Sequence, residues 1–176
     1  MDDVMEQYIR QEVEDYTEDT LKDCMANLIF IDLYTRFFYR GQVIRTLADS
    51  GIPIHLYGSG WDHLDVKHRE NLIIHGPLDS IGCLQQITTS KLSLNVMPWF
   101  KEGLHDRIMN SMLNGAVSVS DSSLAIEEEF TNQETICLYQ LEETKKLPEQ
   151  IEDLLTHENV ASDIAQASRQ FCLEHH

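Results

Sequence analysis

Two hydrophobic periods alternate along most of this chain. Short apolar runs of strand length occur at Ile52 to Tyr57, Leu72 to His75, Leu92-Leu94-Val96, Ala116-Val117-Val119 and Thr135 to Tyr139. Between and after them, apolar residues recur every three or four positions. This second pattern covers Ser80 to Thr89, about Leu104 to Asn114, Ile126 to Phe130, Leu147 to Leu155 and Val160 to Phe171. The first pattern predicts strands and the second predicts helices packed by one face. Strands separated by helices must run parallel through crossover connections. The fold class expected is therefore α/β, a Rossmann-like doubly wound parallel sheet of about five strands with helices on both faces.

Upstream, Leu21 to Ser50 is helical in pattern, with Gly51 as a stop signal and Arg40-Gly41 as a predicted break. The face carrying Leu28, Ile29, Leu33, Phe37 and Phe38 is too apolar for water, so it needs either the sheet or a partner as cover. Residues 1–19 hold eight acidic side chains against one basic, Arg10. Val4, Tyr8, Ile9, Val13 and Tyr16 recur at helical spacing there, which suits either an acidic N-terminal helix docked by that stripe or a linker. Residues 20–172 are read as the domain. Residues 173–176, Leu-Glu-His-His, are read as an expression-tag remnant outside it.

Lys91 to Asp121 is the densest part of the pattern, a strand, loop, helix, glycine turn and second strand. The loop Pro98 to Gly103 falls at the carboxyl end of the first strand, where open α/β sheets bind ligands. In the following helix Ile108, Met109, Met112 and Leu113 share one side, while Arg107, Asn110, Ser111 and Asn114 share the other. Two asparagines and a serine are poor choices for a merely solvated helix face. The first free amides, around Gly103 to Asp106, can receive a phosphate.

Charge narrows the ligand classes. A net charge of −17 excludes a general nucleic-acid binder, which needs a basic face, and an anionic membrane surface likewise. The four cysteines are scattered with no paired spacing, which predicts free thiols in a reducing, cytoplasmic setting. No apolar run approaches the length of a membrane span.

Several smaller constellations carry less. Gly58-Ser59-Gly60 opens a dinucleotide fingerprint, but His63 stands where the third glycine belongs. Asp62, His63, Asp65 and His68 fit no standard zinc spacing and read as a solvated loop, so no metal site is expected. His105 beside Asp106 reads either as an acid–base pair or as a packing residue. Trp99 and Phe100 read as a lid over the sheet or as a stacking surface. Glu127 to Glu129 read as a solvated helix start, and Asp121-Ser122-Ser123 as the N-cap cluster before it, with Asp121 also bordering the loop.

Taken together, these residues resemble the C-terminal half of GT-B glycosyltransferases, in particular the CgeB-like spore-maturation group of bacteria. The likeness covers about Ile52 to Cys172. It rests on Pro98-Trp99-Phe100-Lys101-Glu102-Gly103, on Asn110 to Ala116, on Gly58-Ser59-Gly60-Trp61 and on His75-Gly76-Pro77-Leu78. The resemblance implies a nucleotide diphosphate sugar as donor substrate, with no further cofactor. Glu102 matches the acid that faces the donor sugar, and Gly103 follows it. Asn110 falls where the family's second glutamate holds the ribose, a departure, since an amide bonds a diol more weakly. Gly58, Gly60, His75 and Gly76 match the loops around the nucleotide. Arg107, with Lys101 behind it, is the cation expected to neutralise the diphosphate. A GT-B enzyme closes its site with an N-terminal acceptor-binding domain, which is expected as the missing partner. The other reading is a non-catalytic Rossmann-like module that binds a protein partner.

Overall fold

The computed structural model describes residues 2–13 and 17–176. Each strand lies where an apolar run predicts one. Strand β1 (Ile54–Tyr57) pairs in parallel with β2 (Leu72–His75), Ile54 opposite Leu72 and Tyr57 opposite His75. Strand β3 (Leu92–Asn95) pairs with β4 (Val117–Asp121), and β4 with β5 (Cys137–Tyr139), all in parallel. Pro53 has no N–H to give a ladder, so β1 starts two residues later than the apolar run.

The five parallel strands are divided into a two-stranded and a three-stranded sheet. Between β1 and β3 there is side-chain packing in place of a ladder. Ile54 of β1 and Leu94 of β3 both belong to the apolar clusters on either side of that gap.

Helices flank the sheets. Helix α2 (Glu18–Asp49) sends Val43 and Leu47 onto the same cluster as Val117, Val119 and Tyr139. Ile151 and Leu154 of α6 (Leu147–Thr156) and Ile164 of α7 (Glu158–His175) join them. A second cluster lies under α4 (Asp106–Leu113) and α5 (Leu124–Glu129), built on Met97, Ile108, Met112, Ile126 and Cys172. The remaining helix of the alternating region, α3 (Ser80–Thr88), is capped by Asp79, whose carboxylate accepts from the Gly82 N–H at 2.7 Å. No described helix is long and apolar enough to cross a membrane.

Several expectations are revised. Helix α2 runs unbroken through Arg40-Gly41. An interior glycine costs only about 1 kcal/mol against alanine, too little to break a helix held by packing. A Cβ at Gly41 would sit 3.3 Å from Leu64 Cδ1, so the glycine serves close approach. The apolar face of α2 is not on the sheet, because Ile29, Leu33, Phe37 and Phe38 are exposed and Phe30 is 73% exposed. Within residues 1–19, α1 (Asp2–Glu12) is helical and touches α2. Ile9 is its buried contact, while Val4 and Tyr8 stay exposed and Tyr16 lies outside the described residues. Cys83 is exposed, whereas Cys137 and Cys172 are buried thiols. Glu127 lies in the first turn of α5, where negative charge suits the dipole, while Glu128 and Glu129 fall in its second half. Helix α7 continues through Leu173 to His175, and His176 Nε2 rests 2.5 Å from Glu129 Oε1.

The faces of α4 also differ from the wheel. Ser111 is buried and Leu113 exposed. Ser111 Oγ lies 2.7 Å from Ser93 Oγ and 2.8 Å from the Arg107 carbonyl oxygen. By strand alternation, Leu92, Leu94, Val117 and Val119 face one way, and Ser93, Asn95, Ser118 and Ser120 face the other. The sheet is thus polar and small-sided where α4 meets it, and Ser111 is the matching helix residue. Met112→Ala should cost about 2–5 kcal/mol in denaturant unfolding, whereas Phe30→Ser should stay within about 0.5 kcal/mol. The reverse order would refute these placements.

Candidate functional site

The loop after β3 is tied down from the end of β4. Asp121 is 1% exposed, and its carboxylate accepts the Met97 N–H at 2.6 Å and Lys101 Nζ at 2.9 Å. Lys101 Nζ also donates to the Ser122 carbonyl at 3.0 Å, and the Leu124 N–H donates to the Lys101 carbonyl at 2.8 Å. Ser123 caps α5 by accepting from the Ile126 N–H, and its hydroxyl donates to the Gly103 carbonyl at 2.6 Å. The N-cap cluster read at Asp121 to Ser123 is therefore also the anchor of the loop. At Gly103 a Cβ would collide with the Phe100 ring, which covers that residue.

Glu102 is exposed on the rim of an open depression of about 380 Å³. Lys101, Ser122, Leu124, Glu127 and Glu142 line it as well. Ser122 Oγ donates to Glu127 Oε1 at 2.6 Å. Arg107 and Asn110 are not among the lining residues, so they do not share this hollow with Glu102.

Helix α4 begins on His105, whose Nδ1 accepts the Arg107 N–H at 3.2 Å and lies 2.6 Å from Asp106 Oδ1. One nitrogen cannot accept from the amide and donate to the carboxylate together. Burial lowers the His105 pKa, as do Arg107 and Arg40, against the upward pull of Asp106. The neutral ring with Nδ1 as acceptor is therefore the form that caps the helix. Arg107 Nη1 reaches 3.5 Å from Asn95 Oδ1, a marginal contact. Asn95 is buried, donates to Ser120 Oγ at 2.9 Å, and its carbonyl accepts the Tyr139 hydroxyl at 2.9 Å. Burial, reinforced by Asp121, pushes the Tyr139 phenol far upward and keeps it a donor. Asn110 is half-buried, and its backbone carbonyl takes the Asn114 side chain at 2.8 Å.

Gly58 and Gly76 meet at the carboxyl ends of β1 and β2, where the Gly58 N–H donates to the Gly76 carbonyl at 3.3 Å. Gly60 lies in the turn just beyond. His75 lies nearly parallel to His55, with Nε2 to Nδ1 at 3.0 Å, and Tyr57 stacks on it with centroids 4.5 Å apart. Tyr57 is fixed in turn by its hydroxyl bond to Gln86 Oε1 at 2.7 Å.

Sequence reasoning missed Arg36 and Arg40. Their guanidinium carbons lie 4.2 and 4.7 Å from the Trp99 ring centroid, so Trp99 is a platform for cations from α2. Their spacing of four residues was legible, but nothing local announced that they meet the loop after β3.

The model of the glycosyl transferase-like family matches residues 40–176. Among curated proteins no relative matches the chain by sequence. Solved structures with the same fold include HepE of Anabaena in complex with UDP-glucose, with TM-score 0.61 and 17% identity over 77% of this chain and 41% of that one. TarM matches with TM-score 0.62 and 14% identity, over 80% of this chain and 29% of that one. The C-terminal domain of a group 1 glycosyl transferase (LpcC) from Francisella tularensis matches with TM-score 0.59 and 15% identity, over 81% of this chain and 78% of that one. The chain thus spans less than half of HepE and less than a third of TarM. The fold is that of GT-B glycosyltransferases.

Two outcomes test this geometry. Because the folded His105 pKa is lowered, the unfolded chain takes the proton first, and stability falls as pH drops below about 6.5. In His105→Asn, denaturant unfolding between pH 7.5 and 5 should lose that component of the fall. Asp121→Ala should lower stability by about 1–3 kcal/mol or more, since it orphans the buried Met97 N–H. An unchanged midpoint would show that this carboxylate anchors nothing.

Proposed function

The chain belongs to the glycosyl transferase-like family, matched over residues 40–176, and on that premise we propose that it is the donor-binding domain of a nucleotide-sugar-dependent glycosyltransferase. The observation that supports this most is the loop after β3. It carries Glu102-Gly103, is pinned by Asp121, and leads into α4 with Arg107 in its first turn. In this reading Glu102 orients the donor sugar and Asn110 holds the ribose in place of a glutamate. Gly58, Gly60, His75 and Gly76 surround the nucleotide. Arg107 and the amides entering α4, around Gly103 to Asp106, offset the charge on the leaving diphosphate. Lys101 is already committed to Asp121, so Arg107 is the cation for that task.

The reaction breaks the bond between the sugar's anomeric carbon and the diphosphate oxygen and forms one to an acceptor hydroxyl. The acceptor's proton leaves with the diphosphate or with a base. An N-terminal domain would bring that acceptor, and the CgeB-like group is the closest description of the resulting enzyme. Helix amides and cations serve the diphosphate in this scheme, with no metal called for.

Asn110 in the place of a glutamate favours a second reading, a domain that kept the fold and binds a protein partner instead. Thermal melts with nucleotide diphosphates and UDP-glucose decide between them. A ligand at a hundred times its Kd adds about 2.7 kcal/mol of stability. No shift with uridine, guanosine, adenosine or thymidine diphosphates at millimolar levels would overturn the donor reading. Arg107→Ala should weaken diphosphate binding with the melting temperature of the free protein unchanged.

A further inference from the structure

We propose that Arg40, seconded by Arg36, joins Arg107 as the cradle for the donor's diphosphate, with Trp99 as the plate that orients the two α2 guanidiniums. This rests on the donor reading above and assigns residues of α2 to that site. Helix α2 lies far from the loop in sequence, yet its two arginines, one turn apart, converge on the indole that follows β3.

Charge balance makes this cluster unusual. The chain has 30 acidic residues and 13 lysines and arginines. Arg36 has Asp32 as its counter-ion at 2.6 Å. Among the described residues neither Arg40 nor Arg107 has a carboxylate within ion-pair distance, and Arg107 has only the long contact to Asn95. Arg36 Nε is buried with no hydrogen-bond partner. Half-burial lowers the pKa of Arg40, and Arg107 and Arg36 lower it further. Arg40 also acts on His105. Trp99, which carries Arg36 and Arg40, packs on the cluster of Ile108 and Met112 under α4. Arg107 in the first turn of α4 reaches Asn95 at the end of β3, so the guanidiniums approach the same loop from two helices. Three guanidiniums with one aspartate among them make a local positive patch on an acidic chain, which an anion would complete.

The stacking suits an anion with several oxygens. A guanidinium held over an indole by its charge needs none of its N–H groups for that contact, which leaves them available to a ligand. Those edges match the oxygens of a phosphate group in a two-point fork. Among the described residues no hydrogen bond of the Arg40 side chain to protein occupies its edge, so Arg40 is the principal contact. The phosphate-bearing part of the donor is what this cluster would recognise, whatever the base.

Titration calorimetry of the full chain with pyrophosphate, UDP and uridine tests the assignment. Arg40→Gln should weaken pyrophosphate and UDP by about tenfold or more, as expected for a lost charged hydrogen bond, and leave uridine unaffected. Arg45→Gln removes the same charge from α2 where Arg45 Nε donates to the Asp65 carbonyl, and should change affinity by less than about twofold. Arg40→Lys keeps the charge without the fork. It should weaken both phosphate ligands measurably, and it decides the matter if Arg40→Gln does not fold. Unchanged UDP affinity in the Arg40 variants would overturn the cradle while the donor reading stands. No binding of UDP or pyrophosphate by the parent chain would overturn both.

Discussion

A single buried carboxylate organises the end of the sheet where chemistry is proposed. Asp121 closes β4, and both of its oxygens are spent on the loop after β3. One fixes the backbone at Met97 as it leaves the strand, and the other fixes Lys101 one residue before Glu102. A buried carboxylate without those donors would be untenable, so the loop and the charge require each other. The hydroxyl of Ser123 extends the tie to Gly103. The direction in which Glu102 faces solvent therefore depends on β4, not only on its own strand.

That dependence distinguishes the two kinds of cation around the loop. Lys101 is structural, because its ammonium is consumed by Asp121 and the Ser122 carbonyl. Arg107, Arg40 and Arg36 are held by neutral contacts, a ring and an amide, apart from the one aspartate beside Arg36. Neutral supports leave a guanidinium its charge, and so leave it something to do.

Most of the framework was readable from hydrophobic period. All five strands lie within two or three residues of the apolar runs, the βαβ order dictated parallel pairing, and the glycosyltransferase resemblance matches the family found. The errors share one cause, which is that a residue's face is set by what it meets. Ser111 looked like solvent or ligand surface because serine is polar, but it meets Ser93 on a polar strand face. Leu113 looked like core and is exposed, since the stripe of α4 runs through Ile108, Ser111 and Met112. Gly41 looked like a break because its purpose, room for Leu64, is a tertiary fact. Arg36 and Arg40 lay on a helix with no local sign of a site, since the indole that orders them comes from the loop after β3. The sequence placed Glu102, Arg107 and Asn110 in one segment, but not the fact that Glu102 borders a hollow that the other two do not line.

Gly103 was read as part of a donor-loop signature, yet the structure gives it a second reason to be glycine. The Phe100 ring occupies the volume that any side chain at 103 would need. Positions 100 and 103 therefore form one steric unit. A lineage that replaces Gly103 must first, or at the same step, shrink or swing the aromatic at 100, whereas loss of Phe100 alone frees position 103 to drift. Glycine at 103 is in this sense a record of the ring, and the two should change together among relatives that keep this loop.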